Sequence, residues 1–274
     1  MFLLVSFIGV CVFNIIPLII TLLDSFRPAY GENWFDLTSF RLVMENKAFQ
    51  LAMKNTVIFT IVNIVLVLLL SLGLARILAS KAPGKTIGII FSIPMIIPTV
   101  SVAALLKLLF EQRGLLNKML VPSGITNINW LDSDWAVIIL AIMFLWKNLG
   151  FTMLIWVLSI QNVNESIKDA AMVDGANNND IFKHIIFPDL KNALLLNLTI
   201  LIINVFKIFR EAYLIGGEYP HESIYMLQHI FNNWFRENEY TKIACGGVLY
   251  LLLIGSSILL IKSITFLVER SRKL

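Results

Sequence analysis

Six stretches of this chain are each long and apolar enough to cross a lipid bilayer, and little else is left over. A spanning helix needs about 20 mostly apolar residues, because the hydrocarbon core is about 30 Å thick and each residue adds about 1.5 Å. Stretches at about 1–23, 52–78, 86–110, 136–160, 193–213 and 243–267 meet that requirement. The connections between them are polar and rich in Asn, Asp, Pro and Gly, and none is large enough to fold as a soluble domain. Residues 1–274 are therefore read as a single all-α transmembrane domain of six helices. Composition agrees: 58% of the residues are apolar and 15% charged, against about 45–50% and about 25% in soluble domains.

The first stretch lacks the basic flank and the small-residue cleavage pattern of a signal peptide, and Ile15-Ile16-Pro17-Leu18-Ile19-Ile20 carries it on towards Asp24. It is expected to be a retained helix, and because the chain opens inside it, a start further upstream is expected. Orientation follows from Lys and Arg, which favour cytoplasmic loops. With the N-terminus inside, the cytoplasmic connections carry Lys81, Lys85, Lys168, Lys183 and Lys191, and the tail carries Arg270, Arg272 and Lys273. The outer connections spread Arg27, Arg41, Lys47, Arg113, Lys118 and Arg236 over a longer stretch. Both termini are thus expected in the cytoplasm.

Several chemistries find no support. The net charge of +4 is small for nucleic-acid binding, and no basic stripe with interleaved aromatics is present. Cys11 and Cys245 stand alone in apolar segments, outside any C-x-x-C pair. His184, His221 and His229 are scattered without metal-ligand spacing. Asp132 and Asp134 flank a turn in an outer loop and have no recognisable acid/base partner, so no enzyme is expected. Gly84-Lys85-Thr86 resembles the end of a phosphate-binding loop, but that motif needs a glycine at position 79, which is Ala79. Any nucleotide must be bound by another subunit.

The connection at 161–192 is the informative one. Ile167, Ala170, Ala171 and Asp174 fall on one helical face at i, i+3, i+4, i+7 spacing. Gly175 supplies the positive φ that closes a helix cheaply. Asn178 or Asn179 suits the N-cap of a following helix, with Asp180 at the positive end of its dipole. Pro188 is expected to stop that second helix near 186 or 187. Small residues beside an acid on such an elbow let another protein approach closely.

The run Asp169-Ala170-Ala171-Met172-Val173-Asp174-Gly175-Ala176, followed by Ile185-x-Phe187-Pro188, resembles the EAA loop of binding-protein-dependent ABC importer permeases. Its fuller form is similar to the carbohydrate branch, the maltose-transporter-like permeases. Further landmarks recur in family order: Ile16-Pro17-Leu18 with Asp24-Ser25-Phe26, Asn55 to Thr60, and Ile93 to Pro98. They continue with Gly114-Leu115-Leu116-Asn117, Trp130-Leu131, Trp146 to Phe151, and Gly216-Gly217-Glu218-Tyr219-Pro220. Asp169 stands where the family usually has Glu, and Phe187 where it usually has Leu. The Gly216 stretch departs from the usual Gly-Gly-Pro run.

What this resemblance implies is a type I permease, half of a pore in the bacterial inner membrane. It would import a sugar or oligosaccharide by alternating access. Its partners would be a second permease, two ATP-binding cassette subunits that hold the ATP, and an extracytoplasmic solute-binding protein. The chain itself would hold no cofactor. Asp169, Ala170, Ala171, Asp174, Gly175 and Ala176 would make the coupling contact with the ATPase. An importer of glycerol phosphate, a polyamine or an oxyanion remains an alternative solute class, and a stand-alone channel or membrane enzyme a different functional class.

Polar residues inside the spans are candidates for lining a solute pathway. Trp146, Lys147 and Asn148 lie near the centre of the fourth span, where a charge needs a cavity or a partner. Either they line the pathway, or Lys147 packs on the sister permease or pairs with an acid. In the fifth span Glu211 follows Lys207 by four residues, the spacing of a helical ion pair. Asn197 and Asn204 share a face of that span and either line the pathway or bond to a neighbouring helix.

Overall fold

A computed structural model describes residues 2–27, 36–79, 84–124 and 128–271, with the backbone alone described at 2–3 and 257–271. Lys81, Arg272 and Lys273 lie outside the described residues. Every regular element among the described residues is helical. The first apolar stretch forms α1 (Phe2–Val10) and α2 (Ile16–Asp24), joined by a π turn at Cys11–Ile15. That turn accommodates Pro17: the amide of Ile16 donates five residues back to Cys11 O, so the ring enters a widened coil. A short α3 (Thr38–Glu45) follows, begun by Asp36, whose Oδ1 accepts from the Thr38 amide at 2.9 Å and its hydroxyl at 2.7 Å. The two bonds hold the Asp36 carboxyl below the ordinary aspartate range.

α4 (Lys47–Ala79) runs for 33 residues, five longer at its start than the apolar pattern predicts, because Asn46 caps the Phe49 amide at 2.9 Å. The third predicted span is broken. α5 (Gly84–Phe91) and α6 (Ile93–Ile96) lead to Ile97, which is extended, and α7 (Thr99–Phe110) leaves at 85°. Pro98 causes the break by forcing Ile97 out of the helical region, whereas Pro94 occupies a first-turn position that proline tolerates. α8 (Leu115–Leu120) follows. Its buried Asn117 amide donates to Gln112 O at 2.9 Å and Ile128 O at 2.8 Å, while its Oδ1 accepts from Trp130 Nε1 at 3.0 Å.

The remaining elements are α9 (Trp135–Gln161), α10 (Glu165–Val173), α11 (Asn178–Ile181), α12 (Phe187–Asp189) and α13 (Lys191–Lys207). α14 (Phe209–Gly216), α15 (Leu227–Arg236) and α16 (Tyr240–Ser271) complete the chain. Among the described residues, four helical segments are long and apolar enough to span a bilayer: Leu4–Asp24, Lys47–Ala79, Trp135–Gln161 and Lys191–Gly216. The bent pair Gly84–Ile96 and Thr99–Ser123 makes a fifth if it counts as one span, and α16 is apolar over Tyr240–Ser256.

The chain divides into two compact units, residues 1–52 with 227–274, and residues 53–226. In the first, Gly246 of α16 is met by the rings of Phe49, Phe231 and Trp234, with Phe49 and Trp234 stacked at 5.9 Å. Residues 4–24 are almost wholly exposed, an apolar surface suited to lipid. α15 is amphipathic, short and polar, and buries Leu227, His229, Ile230 and Trp234.

In the second unit, Phe59, Leu140, Met143, Phe144 and Leu201 centre one core, and Met153, Trp156, Val157 and Ile186 another. Trp156 Nε1 donates to Ser71 Oγ at 3.1 Å, tying α9 to α4. Glycine permits the closest approach: a Cβ on Gly150 of α9 would stand 1.9 Å from the Phe91 carbonyl oxygen, and one on Gly88 2.9 Å from Leu154. Gly150→Ala is predicted to destabilise the purified protein by about 1–3 kcal/mol, the usual cost of overpacking. Gly73→Ala, inside α4 with nothing within 4 Å, should instead leave stability unchanged or raise it by up to about 1 kcal/mol. Thermal unfolding in detergent measures both, and equal midpoints would contradict the packing argument.

Candidate functional site

The elbow between α9 and α13 is closed at each turn by its own polar groups. Asn164 caps α10, its Oδ1 accepting from the Ser166 amide at 3.0 Å. α10 ends in a complete Schellman motif: Gly175 adopts φ +89°, its amide bonds Met172 O at 3.1 Å, and the Ala176 amide bonds Ala171 O at 2.9 Å. The next helix begins with a capping box. The N-cap is Asn177, one residue before the two candidates the sequence suggests; its Oδ1 accepts from the Asn179 and Asp180 amides, and Asp180 Oδ2 accepts from the Asn177 amide.

Pro188 does not stop this helix. The chain stays helical through a π turn at Phe182–Ile186 and on through α12, because the Phe187 amide donates five residues back to Phe182 O. The same device admits Pro17. The break comes at Leu190.

On the elbow, Asp169, Ala170, Asp174 and Gly175 are exposed, while Ala171 and Ala176 are half-buried and pack towards the core around Ile181 and Ile186. The elbow's outward apolar groups are Ile167, Met172 and Val173, the last 88% exposed. Met172 and Val173 were not singled out by sequence spacing, since they fall off the i, i+3, i+4 face. Arg76, near the end of α4, bonds Asn179 Oδ1 and stacks over the Phe182 ring, 4.4 Å from its centroid. The second half of the elbow is thereby held to α4.

A second site lies among α7, α9, α13 and α14. A cavity of about 320 Å³ is lined by Thr99, Lys147, Asn148, Asn204, Lys207, Arg210 and Glu211, with Phe144 and Pro98 among its apolar walls. Lys147 Nζ lies 2.8 Å from Glu211 Oε1, and the two side chains are only 14% and 4% exposed. The ion pair therefore crosses between helices, and the expected Lys207–Glu211 pair does not form. The reason is local: the helix is interrupted at Ile208, and Glu211 turns inward while Lys207 stays exposed. Thr99 Oγ1 donates to Glu211 Oε1 at 3.4 Å; Glu211 Oε2 is buried without a partner.

Asn204 donates to Asn148 Oδ1 at 2.7 Å, and Asn148 donates to Phe144 O at 2.8 Å. Asn197 is buried and reaches Thr152 O at 3.5 Å, away from the cavity. Trp146 is 43% exposed and does not line it. Of the five pathway residues the sequence suggests, the structure brings Lys147, Asn148 and Asn204 together. It adds Thr99, Lys207, Arg210 and Glu211, which no spacing within one helix links to Lys147.

Residues 68–273 match the family model described as the binding-protein-dependent transport system inner membrane component. The chain belongs to that family. The match takes in both the elbow and the cavity. Among curated relatives of this permease, the arabinooligosaccharides transport system permease protein AraP of Bacillus subtilis (strain 168) is 28% identical over 252 residues, 89% of this chain and 80% of that protein. The trehalose/maltose transport system permease protein MalF of Thermococcus litoralis is 26% identical over 223 residues, 80% and 76% of the two chains. A crystal structure of a bacterial ABC transporter involved in the import of the acidic polysaccharide alginate shares the fold, with TM-score 0.79 and 21% identity over 96% of this chain and 93% of that one. The permease is thus a multi-pass inner-membrane protein of type I ABC permease fold.

Removing one partner of the buried ion pair should cost far more than removing both. Lys147→Met leaves the Glu211 carboxylate buried and unpaired, an expected loss of about 3–5 kcal/mol. Adding Glu211→Leu should restore most of it. Unfolding of the purified permease in detergent checks the cycle, and a single variant as stable as the parent would contradict the pairing.

Proposed function

We propose that this permease is the transmembrane subunit of an ATP-driven importer for a sugar or oligosaccharide. In this reading the elbow meets a cytoplasmic ATPase and the cavity lies on the solute's path. The observation that carries it is the elbow itself: a doubly capped helical turn with an exposed tip, Asp169, Ala170 and Met172 to Gly175, whose second half is bonded to α4 by Arg76 through Asn179 and Phe182. An elbow so anchored transmits a push on its tip into the spans. The carbohydrate relatives AraP and MalF support a saccharide as the cargo.

The working unit in this reading is two permeases, two ATP-binding cassette subunits and an extracytoplasmic solute-binding protein. ATP resides in the cassette subunits, and this chain holds no cofactor and performs no chemistry on the solute. Residues 1–274 act as one domain of six spans with both termini and the elbow in the cytoplasm; Lys85, Lys168, Lys183 and Lys191 support that orientation. Closure of the ATPases draws the two elbows together and opens the cavity outward, and hydrolysis resets it. Ala171 and Ala176 act from behind the tip by seating it on the core. Lys147, Asn148 and Asn204 touch the solute; Trp146 and Asn197 serve packing and interhelical bonding instead.

Gly175 tests this reading. A side chain there meets nothing within 4 Å, so Gly175→Asp adds only the backbone strain of a positive φ, about 1–2 kcal/mol, plus a charge beside Asp174. The variant should insert and fold yet abolish solute uptake by cells, while Gly175→Ala retains most of it. Normal uptake by the Asp variant would sink the coupling role.

A further inference from the structure

The cavity carries more positive charge than its one carboxylate can neutralise. Lys147, Lys207, Arg210 and Glu211 all line it. Glu211 is committed to Lys147 at 2.8 Å. Lys207 and Arg210 have no hydrogen-bond or ion-pair partner among the described residues, and both sit on a wall inside a segment read as crossing the membrane. Unpaired charges at membrane depth are costly and face a water-filled cavity or a partner.

We infer that the cargo is an anionic saccharide, a hydroxyl-rich body bearing a carboxylate or phosphate. This inference rests on the importer reading. Two features of opposite chemistry have to be met by one molecule. Lys207 and Arg210 call for an anion, and an arginine fork suits a carboxylate or a phosphate alike. Glu211 Oε2, in a side chain 96% buried by its 4% exposure, calls for a donor. A hydroxyl can supply that donor. A bare oxyanion would satisfy the cations and be repelled by Glu211. A polyamine would meet two unpaired cations of its own sign. A neutral sugar would satisfy Glu211 and leave the cations unmet. The amide pair Asn148–Asn204 and the Thr99 hydroxyl add further partners for hydroxyl groups, and Phe144 and Pro98 give the sugar ring an apolar wall.

The test uses vesicles holding the complete transporter, with its ATPase and its solute-binding protein, purified from the native host. They are offered a mixture of neutral, uronate-bearing and phosphate-bearing di- and trisaccharides, and the lumen is read by mass spectrometry with and without ATP. Uronate- or phosphate-bearing saccharides should accumulate over neutral ones by at least about tenfold, the discrimination of one charge-assisted hydrogen bond. Which of the two accumulates identifies the anion. Lys207→Gln combined with Arg210→Gln should still co-elute with the second permease and should lose the preference. ATP-driven accumulation of neutral saccharides at equal or higher level would overturn the inference while leaving the importer reading intact. Loss of the second permease from the double variant would also overturn it, by assigning both cations to acids of that partner. No ATP-driven accumulation of any solute would overturn the importer reading and this inference with it.

Discussion

The buried ion pair between Lys147 and Glu211 is the contact on which the arrangement of the central helices depends. A charge at membrane depth is tolerable only when it faces a partner or a cavity, and here each supplies the other's partner across two helices. Three local features serve that contact. The interruption at Ile208 lets Glu211 turn towards α9 and away from Lys207. The break at Pro98 brings Thr99 within reach of the same carboxylate. The Asn148–Asn204 bond holds α9 and α13 together beside it, next to Lys147 in α9 and about two turns before Glu211 along the chain. Buried ion pairs add little net stability once desolvation is counted, so this one is better understood as fixing which helices meet.

The cavity and the elbow share their supports. α9 carries Lys147 and Asn148 and, further along, Trp156 and Ile160, which pack in the core beneath the elbow. α13 carries Asn204 and Lys207 at one end and Ala193, beside Leu190 of that same core, at the other. From Asn148 to Ile160 the helix spans about 18 Å, with no break in its hydrogen-bond ladder. Two continuous helices thus join the core beneath the elbow to the cavity, the connection that the proposed coupling requires. Arg76 extends the same support to α4.

Much of this was legible in the sequence because it rests on local chemistry. Length and hydropathy mark the spans, and the Gly175 turn follows from the one residue that takes a positive φ without strain. What escaped depends on partners distant in the chain or on subtler backbone choices. Glu211 has Lys207 at ideal helical spacing, and only the turn at Ile208 and the position of α9 give it to Lys147 instead. Pro188 reads as a stop because a π turn, which reroutes the preceding amide, has no compositional mark. Asn177, Asn178 and Asn179 are chemically equivalent as caps, and the choice among them is made by Asp180, which completes a box only with Asn177. α3 and α15 are too short and too polar to register as spans, although both are amphipathic. On the elbow, which alanines face inward is decided by the core around Ile186, and that core is assembled from four different helices.

In the proposed function this chain moves solute only as part of a larger machine driven by a separate ATPase. The most direct measurement is purification of the chain from its native host in mild detergent, with mass spectrometry of everything that comes with it. A second permease of the same family and an ATP-binding subunit should come with it in fixed proportion, and the recovered complex should hydrolyse ATP. A chain that elutes alone, folded, and moves solute across vesicles without ATP would contradict the proposed function.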